Sequence, residues 1–134
     1  MIVYHHEINV TLDANFHAFD LTGSVEEALS LSRVKEGVIT IFSRGSTSAV
    51  TTIEFETGCL KDLSHFLEMH APRSGHYEHN ARWGDGNGVS HLRSAILGPS
   101  LSVPVKAGRP LFSTWQQPIL LNLDNRRRDR EVMI

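Results

Sequence analysis

The sequence has little of several features that would place a protein in a specialised class. Its 134 residues include one cysteine, Cys59, so no internal disulfide can form and a reducing compartment is expected. No apolar run approaches the roughly 20 residues of a membrane-spanning helix, and no secretory signal is recognisable. A formal net charge of −2 gives no general attraction to nucleic acid or anionic membrane. These absences predict a single cytoplasmic domain, residues 1–134, with neither nucleic acid nor membrane as a partner.

The most unusual stretch is Gly84–Gly88, here named the glycine loop, in which three glycines alternate with Asp85 and Asn87. Glycine weakens helices and strands and permits positive φ, so regular structure is not expected across it. His79 precedes the loop and His91 follows it. Imidazoles and a carboxylate so close together suit a divalent cation. We therefore predict a metal or phosphate site, the alternative being a long, ordered surface turn.

Apolar periodicity along the rest of the chain predicts an α+β architecture. Alternating residues indicate a strand at Ile8–Leu12, and the short β-branched run Gly37–Phe42 is typical of a central strand. Helical spacing over Leu60–Leu67 predicts a helix that ends before Pro72. The apolar run Leu111–Leu123 predicts two strand segments broken at Pro118. In total we expect about seven or eight strands, in a largely antiparallel sheet or sandwich, with two or three helices.

Two groups of charged residues leave their interpretation open. Glu54 and Glu56 share one face of a predicted strand, where they would form either an acid/base or metal pair or, more commonly, a solvated edge. The segment Arg126–Arg130 contains four arginines, which would form either a solvated face or a phosphate-binding patch.

Seven motifs, in one order over nearly the whole chain, resemble those of the YjbQ-like proteins, also called the secondary thiamine-phosphate synthase family. They are Gly45–Ala49, Thr52–Gly58, Tyr77–Asn80, Trp83–His91, Leu97–Ser100, Thr114–Gln117 and Asp124–Arg126. The resemblance implies a YjbQ-like α+β fold and a homotrimer with sites near the subunit contacts. It also implies a weak, metal-assisted thiamine-phosphate synthase activity, which joins a pyrimidine pyrophosphate to a thiazole phosphate. The alternative is a trimeric protein that binds a small anion or a metal without turnover.

The chemistry implied by the resemblance assigns roles to individual residues. A divalent metal, zinc or magnesium, would be bound by His79, His91 and Asp85, and the catalytic residues would be Asp85, His91 and Asn87. The small phosphorylated substrate would be bound by Ser46, Thr47, Gly86, Gly88, Gln116 and Arg126, with Arg93 as a further source of positive charge. Val89 stands where many members of the family have a histidine, which leaves His79 and His91 as the histidine pair.

Overall fold

The computed structural model describes residues 1–134 and contains eight strands and four helices. The strands are β1 (Glu7–Leu12), β2 (His17–Asp20), β3 (Gly37–Arg44), β4 (Ser48–Ile53), β5 (Ser100–Lys106), β6 (Arg109–Pro110), β7 (Gln117–Asn122) and β8 (Arg128–Met133). The helices are α1 (Thr22–Ser32), α2 (Thr57–His70), α3 (Glu78–Trp83) and α4 (Gly88–Leu97). None of these helices is both long enough and apolar enough to cross a membrane.

All strand pairs are antiparallel, and they form two sheets with the orders β1-β8-β3-β5-β6 and β2-β7-β4. The predicted α+β fold with a largely antiparallel sheet is therefore confirmed. β3 is the middle strand of the larger sheet, as its β-branched sequence indicates. The helix count exceeds the expected two or three because a short additional helix, α3, precedes the glycine loop.

The apolar run at the end of β7 is buried on both faces of the smaller sheet. Leu120 belongs to the main core, which α1 and the larger sheet also form. Ile119 and Leu121 point the other way, into a second cluster that contains Leu67 from α2. A strand covered on both faces requires a continuous apolar sequence, whereas a half-exposed strand would alternate. The run from Ile119 is therefore accounted for within one chain and does not by itself require a partner subunit.

The predicted break at Pro118 is wrong, because Pro118 is the second residue of β7. Proline lacks an amide hydrogen, but near the start of a strand this removes little pairing. Its carbonyl accepts a hydrogen bond from the Leu21 backbone amide at 2.8 Å, which ties the start of α1 to the strand. The chain interruption lies earlier, in the loop of residues 111–116 between β6 and β7.

The carboxylate of Glu56 caps α2. It accepts hydrogen bonds from the backbone amides of Gly58 at 2.6 Å and Cys59 at 3.0 Å. These amides, that of Gly58 foremost, hold the pKa of Glu56 below its ordinary value. Glu56 therefore does not form a paired acid/base site with Glu54. Its carboxylate is the N-cap of α2 instead.

Candidate functional site

The glycine loop joins α3 to α4 by a tight connection. Gly84 ends α3 with a φ of 70°, and Gly86 has a φ of 71°. Both values lie in the left-handed region, which is accessible to glycine at little cost. Gly88, by contrast, is already the first residue of α4, so the irregular part of the loop is only residues 84–87. This short turn brings the end of α3 and the start of α4 together.

Three polar side chains converge where the turn closes. Nε2 of His79 lies 3.3 Å from Oδ1 of Asp85 and 3.0 Å from Oδ1 of Asn87. The same Asn87 oxygen faces the two carboxylate oxygens of Asp85 at 3.0 and 3.1 Å. These groups, the side chains of His79, Asp85 and Asn87, are here named the acceptor cluster.

Two arrangements relieve the repulsion between these facing oxygens. Rotating the Asn87 amide by half a turn places its nitrogen there, and it then donates hydrogen bonds to Asp85. A cation between the groups has the same effect without the rotation. Two ligands bound about 2.1 Å from one ion are about 3.0 Å apart at a right angle and about 3.4 Å apart at a tetrahedral angle. The observed separations of 3.0–3.3 Å fall in this range and are also ordinary hydrogen-bond distances. The three side chains can therefore hold either a divalent cation or, with the amide rotated, direct hydrogen bonds to one another.

His91 lies beside the acceptor cluster but is not one of its members. Its ring centroid is 4.6 Å from that of His79, and the two planes meet at 60°. This proximity agrees with the pairing of His79 and His91 expected from the sequence, and a separation of about 5 Å is within the reach of a shared ion. However, no three His, Cys, Asp or Glu side chains converge closely enough to hold a metal ion. The third ready ligand is the amide oxygen of Asn87, and metal binding by His91 stays a prediction.

Two asparagines hold the glycine loop from outside. The side-chain oxygen of Asn80 accepts a hydrogen bond from the Gly88 amide at 2.8 Å, which fixes the first turn of α4. Asn125, from the turn between β7 and β8, donates to the backbone carbonyl of Asp85 at 2.9 Å. Because ligand orientation depends on such outer contacts, Asn125 is a functional candidate that sequence reasoning missed. In the sequence, the only indication of this role is the Asp-Asn pair at positions 124 and 125, and that pair predicts a turn and no more.

The Asn125 turn rests on buried polar groups. Thr47 donates its hydroxyl hydrogen to Asp124 at 2.8 Å, and Arg130 donates to the Thr47 hydroxyl at 2.8 Å and to Asn122 at 2.6 Å. Burial raises the pKa of Asp124, but the Thr47 hydrogen bond and the charge of Arg128 outweigh it, and the net pKa is lowered. For Arg130, whose charged form is the protonated one, burial lowers the pKa.

These contacts show that two of the four arginines, Arg128 and Arg130, do not form a phosphate-binding patch. Arg130 is buried and structural, and Arg128 pairs with Asp124 at 3.2 Å, so neither is a free phosphate ligand. Arg126 is exposed at the turn next to Asn125 and keeps its side chain available. Arg93, expected as a source of charge for phosphate, is buried and bound to Glu68 at 2.7 Å.

The predicted substrate-binding residues separate into two places. Gly86 and Gly88 belong to the glycine loop, and Gly86 also borders the side chain of Asn125 in the β7–β8 turn, which contains Arg126. Thr47 and Ser46 lie at the same end, since the Thr47 carbonyl accepts from the Leu123 amide at the start of that turn.

Gln116 lies at the other end of the smaller sheet. The register pairs Ser48 with Asn122 at one end and Ile53 with Gln117 at the other. Five residues of strand separate the two ends by about 17 Å. Within one chain, Gln116 therefore does not reach the acceptor cluster, and its side chain contacts Thr52 instead.

Fold and site together define an α+β protein with an acceptor cluster on a glycine-rich turn, and comparison with known proteins identifies its family. The sequence profile described as "UPF0047 protein YjbQ-like" matches residues 6–134. A UPF0047 protein of Methanothermobacter thermautotrophicus is 37% identical over 130 residues, which cover 97% of this chain and 90% of the relative. The chain belongs to the YjbQ family.

Solved structures agree with this assignment. A YbjQ-like protein of unknown function from Sulfolobus solfataricus P2 superposes with a TM-score of 0.91 at 31% identity, covering 97% of this chain and 93% of that one. A hypothetical protein from Aeropyrum pernix K1 gives a TM-score of 0.90 at 28% identity, covering 98% and 97%. The chain thus spans nearly the whole length of both structures.

Proposed function

We propose that this protein is a metal-assisted enzyme acting on small phosphorylated molecules, with thiamine-phosphate synthesis as the reaction to test first. The observation that supports it is the acceptor cluster, in which the His79 imidazole, the Asp85 carboxylate and the Asn87 amide approach one another to 3.0–3.3 Å. Such a set suits a hard or borderline divalent cation. The specific reaction comes from the family resemblance, and the acceptor cluster supports only its requirement for a cation.

In the proposed reaction, a ring nitrogen of the thiazole phosphate attacks the carbon that carries the pyrophosphate group. A carbon–nitrogen bond forms, the carbon–oxygen bond to pyrophosphate breaks, and the electron pair leaves with the pyrophosphate. A bound cation would neutralise that leaving group. Asp85, His79 and Asn87 would hold the cation, and the exposed Arg126 and Ser46, at the same end of the sheet, would bind phosphate oxygens.

His91 has a separate role in this proposal. Its ring stands edge-on to His79 and outside the acceptor cluster. We assign it the donation of a proton to a departing phosphate oxygen, the general-acid role for which imidazole is suited near neutral pH.

The test combines metal analysis with turnover. The purified protein is analysed for bound metal, and pyrophosphate release from the two precursors is measured with and without added zinc or magnesium. His79→Ala should lose both metal and turnover, whereas His65→Ala, an exposed histidine on α2, should lose neither. Metal bound with no turnover would favour the binding protein without catalysis. Turnover unaffected by chelation and by His79→Ala would refute the proposal.

We also propose that the protein assembles as a homotrimer. The family resemblance motivates this, and the side chains of Trp83 and Trp115 support it because they are 66% and 70% exposed in the isolated chain. Large exposed aromatic side chains are enriched at protein interfaces. Light scattering that gives a 15.0 kDa monomer at micromolar concentration would rule the trimer out.

A further inference from the structure

A second concave surface lies along α1, at the opposite end of the smaller sheet from the turn that contacts the glycine loop. This α1 groove has a volume of about 790 Å³ and runs between α1 and the segment Gly108–Gln117. Only three of its fifteen lining residues are hydrophobic. Its volume is that of small-molecule sites, but its lining is far more polar than is usual for an apolar ligand.

The α1 groove carries an excess of positive charge. Arg33, Lys35 and Arg109 line it, and none of them forms an ion pair with a carboxylate. Glu26 is the one acidic residue in the lining, which leaves a formal excess of two positive charges. The Lys35 ammonium lies over Gly108, where an added Cβ would come within 3.2 Å of Nζ. A side chain at position 108 would thus crowd the Lys35 ammonium.

Neutral donors complete the lining. Ser30, Thr114 and Gln116 add hydroxyl and amide groups, and Phe112 provides an apolar wall. Cations together with hydroxyl and amide donors are the groups that bind phosphate oxygens.

We propose that the α1 groove binds a small organic phosphate or pyrophosphate, with its anionic group at the three cations and its apolar part against Phe112. This inference gives Gln116 a place in a substrate site without bringing it to the histidines. It does not depend on the proposed function, because none of its residues belongs to the acceptor cluster and no divalent cation is needed.

The test uses inorganic pyrophosphate as the probe, titrated calorimetrically in the presence of EDTA. The double variant Arg33→Gln/Arg109→Gln should weaken binding by about tenfold or more, since each arginine gives a charge-assisted hydrogen bond. The control Arg44→Gln/Arg127→Gln removes the same charge from exposed arginines outside the α1 groove and should weaken binding by less than about twofold. Asp85→Asn should leave this binding unchanged.

Backbone amide shifts in NMR spectra locate the bound pyrophosphate. We expect shifts at Gly108, Thr114 and Gln116 and none at Gly84 or Gly86. No binding in EDTA, equal weakening by the control pair, or shifts confined to the glycine loop would each overturn the proposal. None of these results would bear on the proposed metal binding at the acceptor cluster.

Discussion

Replacing Asp85 by asparagine should separate metal binding from folding. The carboxylate side chain is 37% exposed, and its partner His79 is 34% exposed. An ion pair at that exposure contributes about 0–1 kcal/mol, so the metal-free variant should melt within a few degrees of the wild type. The variant also removes the only full negative charge from the acceptor cluster. We expect metal affinity to fall by at least about 100-fold, because removing even an outer-shell partner of a metal site costs about 10–100-fold.

The size of the effect on melting follows from binding linkage. A metal at 100 times its dissociation constant stabilises the native state by about 2.7 kcal/mol. For a chain of 134 residues this raises Tm by about 10 °C. With a 100-fold weaker affinity, the same metal concentration stabilises the variant by only about 0.4 kcal/mol, a rise of one or two degrees.

Differential scanning calorimetry with and without zinc or magnesium measures both quantities. Asp62→Asn is the matched control, because Asp62 is exposed on α2 and outside the acceptor cluster. Its metal-dependent rise should equal that of the wild type. If Asp85→Asn kept the full rise, Asp85 would not be a ligand. If the metal-free variant melted far below the wild type, Asp85 would be a structural turn residue.

Three further predictions concern the surroundings of the acceptor cluster. Asn125→Ala removes the hydrogen bond to the glycine loop and should weaken metal binding 10–100-fold, with little change in the metal-free Tm; unchanged affinity would contradict its positioning role. Gly88→Ala places a Cβ 2.8 Å from Cβ of Tyr77 and should lower the free energy of unfolding by about 1–3 kcal/mol. Gly23→Ala, where the added Cβ meets open space, should leave it unchanged, and chemical denaturation measures both free energies. The lowered pKa of Asp124 contributes stability that is present above about pH 4 and lost as the pH falls through the folded-state pKa, so Asp124→Asn should flatten the acid limb of Tm against pH.

Local patterns in the sequence predicted much of the fold. Alternation predicted β1 within Glu7–Leu12, and the run Gly37–Phe42 predicted the central strand, because burial on one or both faces of a sheet leaves a direct imprint on side-chain order. The proximity of His79 and His91 could also be predicted from the sequence, because a short glycine-rich turn limits how far its two ends can separate. Both inferences use residues that are close in the chain.

The rest depended on strand register, which periodicity does not supply. Alternation tells which face a residue occupies, but not which residue of a distant strand lies beside it. The register of β4 with β7 places Gln116 far from the histidines, and it brings Thr47 to the Asp124 turn. The burial of Arg130 could not be predicted for the same reason. A cluster of charged residues in a sequence is ordinarily exposed, and only the distant partners of Arg130 in the fold reveal that it is buried.

Arg130 links the stability of the domain to the geometry of the candidate site. Its Nε has no hydrogen-bond partner although it is buried, so the side chain carries an uncompensated desolvation cost. The guanidinium nevertheless binds Asn122, the last residue of β7 before the Asp124 turn, and Thr47, which precedes β4 and donates to Asp124. That turn presents Asn125 to the carbonyl of Asp85. An apolar residue at position 130 would avoid the cost but would leave the polar partners unsatisfied and the turn untethered. We therefore interpret Arg130 as the buried end of a support that reaches the acceptor cluster through the turn.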